Sequence, residues 1–333
     1  MRSSVPPFVP LFVVGALLGA ACSGPASPTG GSATATSATA TSATGGDTTA
    51  TSATGGDTAA TSATGGDTAA SAGTPASLAA TLSVIERGLL APGLSPDAAD
   101  ELGRREQRVY RAILTHPEWQ AQLLNLVDPV ALGPLTLHFA ARQAQVDHNA
   151  GKPVAQPSST VPAWNILAPL PVDELRRYYD QAQATTGVRW EYLAAIHFQE
   201  TRMGRVVGTS SAGAVGPMQF LPATWAKCCT GDPTNTQDAI LGAARFLALH
   251  GAPGDMRRAL TAYNPNSGYV GAVTAYAQNM IADAHAFLGY HGWEVFYTTR
   301  AGTVRLPVGY ASAVPIDVDT YLRAHPADLV TDG

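Results

Sequence analysis

A stretch of 55 residues with no side chain larger than threonine, aspartate or proline divides this chain. Of residues 23–77, 49 are Ser, Thr, Ala or Gly, and a ten-residue unit, TSATGGDTAA, recurs nearly unchanged from positions 41, 51 and 61. A repeat without large apolar side chains cannot offset the entropy lost on ordering, so the segment reads as a disordered linker and not as a solenoid. Flexible-chain statistics give a linker of that size a root-mean-square reach of about 40 Å. The folded part is therefore expected to start near residue 78, and the chain from there on holds 41 of the 45 charged residues. It is long enough to bury a sizeable core as one large domain or two small ones.

Upstream of the repeat, Arg2 is followed by an apolar run over 8–21 and by the small residues Gly19, Ala20 and Ala21 directly before Cys22. That is the layout of a secretory signal, too short to be a spanning helix by default. The small residues before a cysteine resemble the lipobox of bacterial lipoproteins, although Leu18 stands one place upstream of the usual leucine. The resemblance implies that residues 1–22 are a signal, that Cys22 is lipidated, and that the exported chain is anchored to a membrane. No later apolar run approaches the ~20 residues of a membrane span.

The formal net charge of −5 argues against a nucleic-acid partner, which demands clustered Lys and Arg. Three cysteines, at 22, 228 and 229, cannot build a disulfide framework. The adjacent pair fits either a disulfide between neighbours or two unpaired buried thiols. His116 and His138 lack a second ligand at metal-binding spacing, and His285 and His291 lack a carboxylate at a recognisable interval, so no metal or other cofactor is expected.

Downstream of the repeat the apolar spacing is helical. Breaks at 92–96, at Pro117 and at Asp128-Pro129 separate about four helices over 78–150, which read as a helical accessory module without evident chemistry. The Pro- and Ser-containing stretch 151–162 marks a boundary. A second unit over 163–292 starts with a helix over 172–186, stopped by Gly187, and a helix over 189–201. Further helices are expected over 237–250, with Thr234 and Gln237 as a capping box, over 255–262, and as one long helix over 269–290. Residues 293–333 read as an extension with a hairpin (295–299 and 303–308) and a short helix near 318–324.

Winding the helix over 189–201 places Leu193, Ile196, His197 and Glu200 on one face. A carboxylic acid at the C-terminal end of an apolar stripe has its pKa raised by desolvation and by the negative end of the helix dipole, as a proton donor near neutral pH requires. Taken alone, Glu200 could equally be a structural residue paired with Arg202 or Arg205. The following run, GTSSAGAVGPMQFLPATW from Gly208 to Trp225, combines turn glycines, small hydroxyl residues and the Gln219 amide beside an apolar ridge of Met218, Phe220 and Leu221. Such a loop suits an uncharged polar polymer such as a glycan.

Glu200-Thr-Arg-Met-Gly, then Ser211-Ala-Gly-Ala-Val-Gly-Pro-Met-Gln-Phe-Leu-Pro, then Ala262-Tyr263-Asn264 resembles, in order and spacing, the motifs of the soluble lytic transglycosylase (SLT) family. The match covers about residues 170–290, and Thr201, Pro217 and Pro265 depart from the commonest family residues. The resemblance implies a mainly α fold: a lysozyme-like helical domain preceded by the small helical module and followed by a short C-terminal β-hairpin. It implies that peptidoglycan glycan strands are the partner, that Glu200 is the catalytic acid and base, and that the product carries a 1,6-anhydromuramoyl end. Ser210, Ser211, Met218, Gln219, Phe220, Tyr263, Asn264 and Tyr269 are the expected substrate-binding residues. Tyr263 also reads as a core tyrosine, and Tyr269, one heptad from Tyr276, as either a sugar shelf or ordinary packing. A hydrolase would need a second carboxylate. Residues 201–231 contain none, whereas Asp232, Asp238 and Asp255 could fold back. Two other functions remain open on the residues: a muramidase that uses water, and a wall-binding protein without turnover.

Overall fold

A computed structural model describes residues 73–330 of the chain. The signal, Cys22 and most of the repeat lie outside the described residues. The first helix starts slightly earlier than the composition suggests, because Thr74 caps it by accepting from Ser77 N, and Pro75 occupies its first turn.

Twelve α-helices dominate the described residues, as the sequence leads one to expect. The first block contains α1 (Pro75–Leu89), α2 (Pro96–Leu114), α3 (Gln120–Leu126) and α4 (Pro129–Asn149). Two-residue strands β1 (Thr160–Val161) and β2 (Asn165–Ile166) lead into α5 (Val172–Thr186) and α6 (Trp190–Thr201). After β3 (Val206–Val207) come α7 (Pro222–Cys228), α8 (Thr236–Leu249), α9 (Met256–Tyr263), α10 (Ser267–Ala282) and α11 (Ala286–Gly292). The chain then forms β4 (Val295–Thr299), β5 (Gly302–Leu306), β6 (Ile316–Asp317), α12 (Val318–Ala324) and β7 (Leu329–Val330). All pairings are antiparallel: β4-β5-β7 make one small sheet, β1 pairs with β6, and β2 pairs with β3 in the register Asn165↔Val207.

Three local expectations change. The helix over 269–290 is two helices, because Asp283 takes an extended conformation (φ −149°) and its carboxylate accepts from His285 N, which closes a turn between α10 and α11. Asn235, not Thr234, caps α8 by accepting from Asp238 N, and the Thr234 hydroxyl donates instead to Asp232. Pro222 starts α7 as well as ending the apolar ridge, since a helix tolerates proline in its first turn.

The main core runs without a break from Ala79 on α1 to Trp293. Helix α6 is buried nearly all round instead of on one face, so it is the central helix of this core. Helices α2 and α11 approach at glycines: a Cβ on Gly103 would sit 2.2 Å from the Gly289 carbonyl oxygen. The same region holds a buried polar cluster. Tyr110 donates to Glu86, Trp293 Nε1 donates to Glu106 at 2.8 Å, and His138 stacks on Tyr110 at 3.6 Å. Burial pushes Glu86 up to about 7 and Glu106 well above the carboxylate range, and it holds His138 neutral at about 3. A second, smaller core joins Trp164, Ile166 and Val206 to Val295, Val304, Leu306 and Tyr310 of the C-terminal segment.

Candidate active site

Glu200 is the penultimate residue of α6, where the helix carbonyls point past its carboxyl. The helix ends in a tight reversal, with Arg202 N bonded to Phe198 O and Met203 N to His197 O. Arg202 and Met203 both take left-handed backbone (φ 54° and 57°), a conformation that glycine usually supplies. The reversal feeds β3 and turns both arginines away from the carboxyl. Arg202 donates to Phe198 O and stacks over Phe198 at 4.2 Å, and Arg205 donates to His291 O at 2.8 Å.

Glu200 is half-buried, and desolvation by the surrounding protein raises its pKa to about 7, while the Tyr269 hydroxyl beside it pulls the other way. That hydroxyl falls short of hydrogen-bonding geometry and is buried without a partner, so it is free to join a ligand or the carboxyl. It is held there because the Asn266 side chain caps α10 by accepting from Tyr269 N at 3.0 Å. Asn264 contributes one step earlier, its side-chain oxygen accepting from Asn266 N.

The loop over 208–221 forms the other wall. Gly213 and Gly216 take φ of 82° and 75°, and a Cβ on Gly216 would lie 1.8 Å from Pro233 O, so only glycine fits there. The buried Ser210 hydroxyl accepts from Ala212 N and Ala214 N, which makes it a loop staple, and Ser211 is exposed. Gln219 sits in left-handed backbone (φ 48°), donates to Gly216 O at 2.9 Å and Gly208 O at 3.4 Å, and keeps a buried side-chain oxygen without a partner. Met218 and Phe220 turn into the core, where Phe220 meets Trp225, Phe246 and Tyr263, so neither side chain faces a ligand. Tyr263 donates its hydroxyl to Met218 O at 2.6 Å. It thereby fixes the backbone before Gln219, and the hydroxyl open beside Glu200 is that of Tyr269.

Thr201, which its residue type alone does not mark as functional, ties the two walls together. Its hydroxyl donates to Pro217 O at 2.6 Å and accepts from Gly204 N at 3.1 Å. A threonine following the candidate acid, with a turn glycine three residues on, was the available signal. The three aspartates that could have folded back are engaged elsewhere: Asp232 with Thr234, Asp238 with Asp232 N, and Asp255 as the cap of α9. Cys228 and Cys229 are joined as a disulfide at the end of α7. His291, unpaired by sequence interval, meets Asp100 at 2.7 Å across the fold. A cavity of about 350 Å³ is lined in part by Leu170, Met203, Gly208, Pro217 and Thr234, and Glu200 is not among its lining residues.

A lone acid with a raised pKa at a helix end, a glycine-shaped loop presenting Gln219, and an unpaired tyrosine hydroxyl are together in one place. The family model described as the transglycosylase SLT domain matches residues 177–285. Over those residues the chain is similar to an SLT domain. Membrane-bound lytic murein transglycosylase F of Thiobacillus denitrificans is 32% identical over 127 residues, an alignment that covers 36% of this chain and 27% of that relative. The chain thus spans about a quarter of the relative's length. No solved structure matches the chain. The matched residues contain Glu200, the loop with Gln219, Tyr263 and Tyr269, whereas α1 to α4, β1, β2 and everything from α11 onward lie outside the match.

Proposed function

We propose that this protein is a peptidoglycan lytic transglycosylase. The observation that carries the reading is Glu200: a half-buried carboxyl at a helix end, titrating at about 7, whose shift owes nothing to a second carboxylate. Such a group is an acid and a base near neutral pH in turn. In the proposed reaction Glu200 protonates the oxygen that links N-acetylmuramic acid to N-acetylglucosamine, and the bond from that oxygen to the anomeric carbon breaks. The resulting carboxylate then takes the proton of the muramic 6-hydroxyl as its oxygen bonds to the same carbon. The strand ends in a 1,6-anhydromuramoyl group, no water is consumed, and Glu200 is protonated again.

The unpaired amide oxygen of Gln219 and the unpaired hydroxyl of Tyr269 are the polar groups that a bound sugar would satisfy. Such an enzyme would be exported, and a lipid on Cys22 would tether it to a membrane with the repeat as its leash. The name of the membrane-bound relative supports that location. Among the described residues no helix is long and apolar enough to cross a membrane.

Mass spectrometry of muropeptides from digested cell wall tests the reaction. Anhydro ends are expected, whereas reducing muramic ends, about one water heavier, indicate a muramidase. Glu200→Gln is expected to abolish product at least a thousandfold while leaving the fold intact. A Glu200→Gln protein with undiminished cleavage excludes Glu200 as the acid.

A further inference from the structure

Trp164 stands on the turn between β1 and β2, before the SLT domain begins, and its position in the fold gives it a reach that its sequence context does not. Its buried indole rests on the backbone of Gly208: a Cβ added there would lie 2.6 Å from Trp164 Cδ1 and 3.3 Å from Nε1. The ring also meets Tyr297 of β4 edge to face at 5.4 Å, and Ser312 N bonds to Trp164 O at 3.0 Å. The indole is therefore fixed by the C-terminal segment on one hand and touches the SLT loop on the other.

Gly208 passes that contact on. Its carbonyl is one of two that accept from Gln219 Nε2, and the chain on its N-terminal side is β3, paired to β2 immediately after Trp164. Gln219 has no freedom to re-aim on its own, because its left-handed backbone and both amide donor bonds are set by this loop. Its oxygen is the buried, unpartnered atom of the glycan wall. A displacement of Gly208 by a fraction of an ångström must move that atom or cost a hydrogen bond.

We infer that Trp164 is a positioning residue: through Gly208 it sets where Gln219 presents its amide, so the segments outside the SLT domain set the affinity for glycan. This rests on the reading of the Gln219 wall as the glycan site. The physical basis is contact without slack, since a glycine leaves no side chain between ring and backbone, and misplacing a binding group by about 1 Å can cost up to a hundredfold.

A size swap tests it. Gly208→Ala pushes a methyl into the indole, Trp164→Phe removes the pyrrole edge that the methyl would strike, and the double variant restores the fit. Glycan affinity is measured with soluble strands on Glu200→Gln forms, where no turnover intervenes, and KM and kcat are measured on the active forms. Each single change is expected to weaken binding and raise KM about tenfold while the pH profile of kcat stays in place. The double variant is expected to return to within about threefold of the parent. Singles that bind like the parent, or losses that multiply in the double, overturn the inference. If Gly208→Ala does not fold, the double variant must still fold and bind, and its failure to do so also overturns it. A parent that binds glycan but makes no anhydro ends removes the lyase reading alone; a parent that makes them while the swap has no effect removes this inference alone.

Discussion

At the scale of single residues, the proposed reaction turns on one proton. Glu200 titrates at about 7 in the folded chain because burial disfavours its anion, and Tyr269 opposes that rise. Bond cleavage needs the protonated form, so kcat/KM is expected to fall about tenfold per pH unit above that value. Removing the opposing hydroxyl with Tyr269→Phe takes away a group that favours the anion, so the descending limb should move to higher pH, as a pH-rate profile would reveal. A limb that stays in place would mean that Tyr269 does not act on the acid. Tyr263 offers the contrast: its hydroxyl already donates to Met218 O, so Tyr263→Phe acts on the loop and not on the acid. The sequence set both tyrosines among the expected substrate-binding residues but did not tell their hydroxyls apart, because the partner of the Tyr263 hydroxyl lies 45 positions away.

At the scale of elements, the ends of α6 and α10 carry the candidate site, and both are held by side chains that bond to backbone. Asn266 caps α10 and presents Tyr269 in its first turn. Asn266→Ala is expected to cost about 1 kcal/mol of stability, as cap removals do, read from urea unfolding. It should also lower kcat/KM severalfold, because the first turn that bears Tyr269 loses its anchor. An unchanged unfolding midpoint would show that the cap contributes nothing. The helices themselves were legible: Gly187 stops α5 in left-handed backbone (φ 75°), as its position between two apolar periods announces. The break between α10 and α11 was not, because Asp283 and His285 supply a turn in the middle of a continuous apolar pattern.

At the scale of the whole molecule, the first four helices and α5 to α11 share one core, which also holds two carboxyls, Glu86 and Glu106, with Tyr110, His138, Tyr290 and Trp293 around them. Glu86 is raised to about 7 and Glu106 well above its ordinary value, both mainly by burial. Acids raised on folding favour the folded state fully below their unfolded pKa of 4.5, and that contribution is lost as pH rises through the folded values. The melting temperature should therefore fall between pH 5 and pH 8, and Glu86→Gln, which keeps an acceptor for Tyr110, should flatten the fall; calorimetry across that range checks it. A parallel slope in the variant would exclude Glu86. By itself the sequence determined which of the described segments are helical, and it singled out Glu200 and the loop over 208–225 as candidates, because periodicity, caps and short motifs are properties of neighbouring residues. Only the tertiary structure decided that the Tyr269 hydroxyl and not that of Tyr263 is open beside Glu200, that Met218 and Phe220 face inward, and that Trp164 rests on Gly208. Those outcomes depend on which surfaces meet when distant segments pack, and no local pattern records them.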